Sequence, residues 1–135
     1  MTPNEYQAEA ARTLLTPSVA VTRLSDLPTL RLLHAALGCA SESGELASAV
    51  EKYLFFGRDM DKPAVVAEIG DIMWYVALAC TALDVPMETA MRGNVEKLRL
   101  RFPGAFSNEK SVSRNERAET DRVQDVMIDQ LPTSL

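Results

Sequence analysis

Residues 64–83 read AVVAEIGDIMWYVALACTAL, an apolar run interrupted by two acids, Glu68 and Asp71, and by Gly70. With Asp61 as a candidate cap and Pro63 in the first turn, this run predicts a helix from about Pro63 to Leu83. That helix is apolar almost all round, with Val65, Ile69, Ile72, Val76 and Leu83 on one side and Trp74 and Leu78 on the other. Such a helix has to be buried on every side. No lysine or arginine occurs from Ala64 to Met91, so Glu68 and Asp71 have no local counter-charge. An ionised carboxylate among apolar groups costs several kcal/mol unless it is paired or ligated. Three solutions are open: a raised pKa, a basic residue from another helix, or a divalent cation.

The preceding helix is predicted from about Pro28 to Phe55, capped by Asp26 and ended by Gly57. Leu33, Ala36, Leu37, Ala40, Ala47, Val50 and Leu54 make its apolar face, while His34, Ser41, Glu42, Glu45 and Lys52 point the other way. Glu42 and Glu45, like Glu68 and Asp71, stand three residues apart, which puts each pair on one helix face. Each pair has a glycine, Gly44 or Gly70, just before its second acid. A helix-interior glycine costs about 1 kcal/mol relative to alanine and needs a reason. Close approach of two antiparallel helices at these glycines is the expected one. It would gather Glu42, Glu45, Glu68 and Asp71 into one cluster of hard oxygen ligands, suited to Mg²⁺ or Mn²⁺ and poorly to zinc. Salt bridges from Lys52, Lys97 or Arg101 are the purely structural alternative. A di-iron bundle would want Glu-x-x-His on two helices, and His34, the only histidine, has no acid three residues before it.

Outward from this pair, Tyr6, Ala10 and Leu14 recur at four-residue spacing and predict a first helix from about Asn4 to Leu15. Thr16, Pro17 and Ser18 break it, and a loop is expected up to Asp26. Asp84 and Pro86 give a cap-then-proline signal for a further helix, about Met87 to Arg101, closed by Pro103 and Gly104. No β-alternation occurs. The expected fold is all-α, with an antiparallel four-helix-bundle-like core in a domain over residues 1–106. Residues 107–135 read as a charged tail, either helical or ordered only against a partner, in which Val123, Val126, Met127 and Leu131 form a weak amphipathic strip. The helices between Pro28 and Arg101 span roughly 75 residues, marginal for enclosing a fully apolar helix. A homodimer or homotetramer is expected to supply the missing cover.

A chain of 135 residues is one domain by length. A net charge of −5 and a pI near 4.9 argue against a groove for a nucleic-acid polymer or a site for an anionic membrane. A nucleotide is still compatible if metal ions bridge it to the acids. Cys39 and Cys80 sit among apolar residues without metal or redox spacing and read as buried free thiols in a reducing compartment. Met1 to Leu15 lacks a secretory pattern, and the most apolar run, Ile72 to Leu83, is well short of the ~20 residues of a membrane helix. A soluble cytoplasmic protein is expected.

Taken together, Glu-x-Gly-Glu on one helix and Glu-x-Gly-Asp on the next resemble the MazG-like all-α nucleoside triphosphate pyrophosphohydrolases. The likeness extends to Glu5-Tyr6-Gln7 with Arg12-Thr13, to Ser41 through Glu45, to Glu68 through Tyr75, and to Asn94-x-x-Lys97-Leu98-x-x-Arg101-Phe102-Pro103. It covers about Glu5 to Arg114. Ser41 departs from the pattern, since many members carry a further glutamate there. The resemblance implies Mg²⁺-dependent hydrolysis of a nucleoside triphosphate to monophosphate and pyrophosphate. Metal would be held by Glu42, Glu45, Glu68 and Asp71, with Glu45 as the base. Lys52, Lys97 and Arg101 would face the triphosphate, and Asn94 and Tyr75 would contact substrate. Competing expectations are a relative acting on phosphoribosyl-ATP or ppGpp, and a non-catalytic helical adaptor whose acids meet a basic partner.

Overall fold

The structure, a computed structural model, describes residues 1–14 and 18–129. Leu15, Thr16, Pro17 and Leu131, each given a place in the sequence reading, lie outside these. The described residues are all-α: α1 (Pro3–Arg12), α2 (Ser18–Leu24), α3 (Leu27–Phe56), α4 (Lys62–Ala82), α5 (Met87–Arg101), α6 (Asn108–Val112) and α7 (Glu116–Ile128).

Helix ends follow the local chemistry. The Asp26 carboxylate accepts from the Thr29 N–H at 2.9 Å and that of Asp61 from the Ala64 N–H at 3.0 Å, each helix having proline in its first turn. Gly57, at φ 64°, closes α3 in the left-handed region that glycine enters freely. Two local expectations are corrected. The stretch from Ser18 to Leu24, expected as loop, is helical. Asp84 does not cap α5; it occupies the α4–α5 turn at φ 54°, a conformation aspartate tolerates, and Pro86 stands at the cap position without a side-chain bond. The helical alternative for the segment after Ser107 is the one seen among the described residues, as α6 and α7. Ser107 caps α6, Asn115 caps α7, and α7 buries Glu119 and Val126.

Two packed pairs dominate the chain: α3 lies along α4, and α7 lies along α5, while α4 and α5 touch far less. On the α5–α7 seam a Cβ on Gly93 would stand 3.2 Å from Val123 Cγ1, so glycine permits the close approach there. These two pairs are not the four-helix-bundle-like core expected over residues 1–106: α7, from the segment read as a tail, packs on α5, and among the described residues α1 joins neither pair.

Among the described residues the single chain fully buries few apolar side chains, namely Ala35, Cys80 and Val126. The face of α3 that meets α4 is the one carrying Ala35, Gly38 and half-buried Glu42, not the stripe read as apolar, where Leu33, Leu37 and Leu54 are exposed. The burial expected on every side of α4 is likewise not supplied by its own chain, which leaves Val66, Ile69, Met73 and Trp74 exposed. By length and composition α4, at 21 residues, suffices to cross a bilayer, although Glu68 and Asp71 stand near its middle. Cys80 is a buried free thiol, and Cys39, half-buried, points its Sγ at the Ile72 carbonyl at 4.0 Å.

Candidate metal centre

Packing of α3 on α4 brings carboxylates from both helices together. Carboxylate oxygens of Glu42, Glu68 and Asp71 lie within 4.8 Å of one another, the two glutamates half-buried and the aspartate exposed. Glu45 falls outside this set but stands near enough to act on it. The proton affinity of Glu42 is raised, first by burial, then by the negative charges of Glu45, Asp71 and Glu68, and by a hydrogen bond with Glu68 that requires one carboxyl to hold a proton. Among the described residues no lysine or arginine lowers it, and none forms an ion pair with the three acids. Three hard oxygens at this spacing, short of positive charge, fit a divalent cation of the Mg²⁺ or Mn²⁺ type.

The reason the acids meet differs from the one read in the sequence. Gly44 and Gly70 are exposed, and a Cβ on either would meet nothing within 4 Å, so neither marks the close approach between the helices. Gly38 does. A Cβ there would fall 2.2 Å from Cε1 of Tyr75. This contact was missed because Gly38 stands outside the acidic motif. A usable signal was its place four residues before Glu42, matched on α4 by Tyr75 four residues after Asp71.

The residues expected to meet substrate are dispersed. Tyr75 is half-buried on Gly38, in an edge-on cluster with Trp74 (centroids 4.9 Å apart) and His34 (5.6 Å), one turn from Asp71. His34 is exposed and lies edge-on to the rings of Trp74 and Tyr75. Lys52 and Asn94 are exposed on α3 and α5. Lys97 is half-buried in a cleft with Arg114, Glu116, Glu119, Thr120 and Val123, on the α7 side of α5. Arg101, expected at the triphosphate, is instead committed to Glu119: its Nε donates to Oε1 at 2.7 Å and its Nη2 donates to Oε2. Both side chains are largely buried. The sequence could not show this, because the acid that claims Arg101 lies 18 residues on, in the segment read as a tail.

Comparison with known proteins agrees with this geometry. The family model described as "MazG nucleotide pyrophosphohydrolase domain" matches residues 32–106, from within α3 past the end of α5. The chain is 34% identical over 104 residues to the "Gene 37 protein" of Mycobacterium phage L5, covering 71% of this chain and 84% of that protein, whose name states no activity. No solved structure gives a significant match. With more than half its length matched and its acids converging between α3 and α4, the chain belongs to the MazG nucleotide pyrophosphohydrolase family.

Proposed function

We propose that the protein is a Mg²⁺-dependent nucleoside triphosphate pyrophosphohydrolase, cleaving an NTP or dNTP to the monophosphate and pyrophosphate. The observation that carries this reading is the convergence of Glu42, Glu68 and Asp71 without a cation of the chain's own, in a member of a nucleotide pyrophosphohydrolase family. An adaptor gives no reason for its acids to face one another.

Glu42, Glu68 and Asp71 would hold the divalent ion, with Glu45 beside them. Such an ion, when bound, neutralises phosphate oxygens and acidifies water. Glu45, outside the tight set, is the carboxylate free to take the proton of the attacking water as a phosphoanhydride bond breaks. Lys52, Asn94 and Lys97 are the groups offered to the phosphates. Tyr75 offers an aromatic edge for the base or sugar one turn from Asp71. Arg101 leaves this set, since Glu119 satisfies it.

The protein is proposed to work as a homodimer or homotetramer in the cytoplasm, with no membrane and no nucleic-acid polymer as partner. The exposed apolar stripe of α3 and the exposed Ile69, Met73 and Trp74 of α4 support assembly with further copies. Glu68 and Asp71 near the centre of α4 weigh against a bilayer around it.

The test is pyrophosphate release from canonical and modified NTPs and dNTPs, with phosphoribosyl-ATP and ppGpp hydrolysis run beside it, with and without Mg²⁺. The oligomeric mass is read by light scattering. Asp71→Asn and Glu45→Gln should each lower turnover by on the order of 100-fold or more while the protein stays folded and assembled. Full activity in both variants would overturn the metal reading, and no cleavage of any nucleotide would favour the adaptor.

A further inference from the structure

Gly38 and Glu42 are one turn apart on α3, and Tyr75 and Asp71 are one turn apart on α4. The helices run side by side, with Tyr75 over Gly38 and Asp71 beside Glu42, so ring and carboxylates occupy adjacent layers of one seam. At Gly38 a Cβ would lie 2.2 Å from Cε1, 2.3 Å from Cδ1 and 2.4 Å from Cζ of Tyr75. Non-bonded carbons prefer about 3.5–4.0 Å. The whole ring edge, not a flexible tip, occupies the space a side chain would need. The ring is also hemmed in, with Trp74 edge-on at 4.9 Å and His34 at 5.6 Å between centroids, so it cannot swing aside without losing both contacts. Gly38 is helical and, unlike Gly57, has no positive φ that would call for glycine. Its missing side chain serves packing alone.

We propose that Gly38 is a positioning residue for the carboxylate cluster: it seats the Tyr75 ring and thereby fixes the separation and register of α3 and α4 that bring Glu42 onto Glu68 and Asp71. The inference rests on the metal reading above. A methyl group at this position must push the ring, and α4 with it, outward by more than about 1 Å. Mg²⁺-type coordination holds its oxygens at about 2.0–2.1 Å in near-ideal geometry, so a displacement of that size one turn away spoils the ligand set.

Mn²⁺ binding to the full chain, followed by calorimetry and by the electron paramagnetic resonance of the free ion, tests this without turnover. Gly38→Ala should weaken Mn²⁺ binding about 10-fold or more, as losses in the supporting shell of a metal site do, with helix content unchanged by circular dichroism. Gly44→Ala, whose Cβ meets nothing within 4 Å, should bind as the parent does. Adding Tyr75→Ala to Gly38→Ala removes the collision and should restore binding to the level of Tyr75→Ala alone. If Gly38→Ala does not fold, the double variant must, and its failure to fold as well overturns the collision as the cause. Parent-like Mn²⁺ binding by Gly38→Ala, an equal loss in Gly44→Ala, or no recovery in the double variant overturns the inference and leaves the proposed function standing. A parent protein that binds no Mn²⁺ takes down both.

Discussion

The α5–α7 seam and the α3–α4 seam each bring glutamates inward, and they treat the charge in opposite ways. On α5–α7, Glu119 is held by Arg101, and Glu96 accepts from Arg122 at 2.8 Å and from Arg99 at 2.6 Å. The hydrogen bonds from these guanidinium groups keep both carboxyls below their ordinary range. On α3–α4, Glu42, Glu68 and Asp71 form no ion pair with a basic group among the described residues, and Glu42 is pushed up by burial and by the charges of Glu45, Asp71 and Glu68. A seam whose charges cancel internally is finished by folding. One left short of positive charge must take up a proton or, in the proposed function, a divalent cation, so the contrast sets the proposed site apart from the scaffold.

The largest effect expected from breaking this contrast is on the finished side. Glu119→Ala leaves the Arg101 guanidinium largely buried with no carboxylate, a loss that typically dominates mutational tables. Its melting midpoint should fall by on the order of 10 °C, with exchange protection lost first along α7. Mn²⁺ binding by the folded fraction should not change, because no residue of α7 belongs to the acid cluster. An undisturbed midpoint would mean that the seam is held by Val123, Val126 and Gly93 alone.

The same division explains what could be read in the chain beforehand. Helix limits follow from neighbours in sequence: Asp26, Pro28 and Gly57 bound α3, and Asp61 and Pro63 open α4. That Glu68 and Asp71 need company was legible too, because carboxylates in an apolar helix without counter-charge violate the drive of folding, but of the four acids expected to converge Glu45 stays outside the cluster. What stayed hidden depends on which helix lies against which. Glu42 turns toward α4 while the stripe of Leu33, Leu37 and Leu54 stays uncovered, since α3 carries two faces fit for packing and only tertiary pairing chooses between them. Arg101 is an ordinary cation on α5 until α7 delivers Glu119 to it. Gly38 looks like any glycine until Tyr75 is laid across it.

A pH series sharpens the contrast, with an effect of opposite sign on the two seams. Glu119 and Glu96 have lowered values in the folded state, so their stabilisation is fully present above the unfolded value of about 4.3 and is lost as pH falls through the folded values. Glu42 has a raised value, so the folded chain binds the extra proton, and stability falls as pH rises from about 4.3 through the folded value. In the metal-free protein, acid should therefore loosen α5–α7 while it tightens α3–α4 near Glu42. Segment-resolved amide exchange, expressed as protection factors between about pH 3 and pH 7, reads both at once. Mn²⁺ added at neutral pH should protect α3–α4 and leave α5–α7 as it was. Parallel responses in the two seams would remove the electrostatic distinction between them.

The smallest effect lies in Gly70, which lines neither contact. Gly70→Ala gives α4 a better helix former at a position where the new Cβ meets nothing within 4 Å, so it should raise stability by about 0.5–1 kcal/mol in urea unfolding. Gly93→Ala, on the other seam, should gain less or lose, because its Cβ comes within 3.2 Å of Val123 Cγ1 and the valine must give way. The order of these two variants tests whether close approach, and not helix propensity, decides the cost. A loss at Gly70 would carry a different message. Nothing in its own chain opposes a methyl group there, so the obstruction would have to come from a helix of a second copy lying across the exposed face of α4.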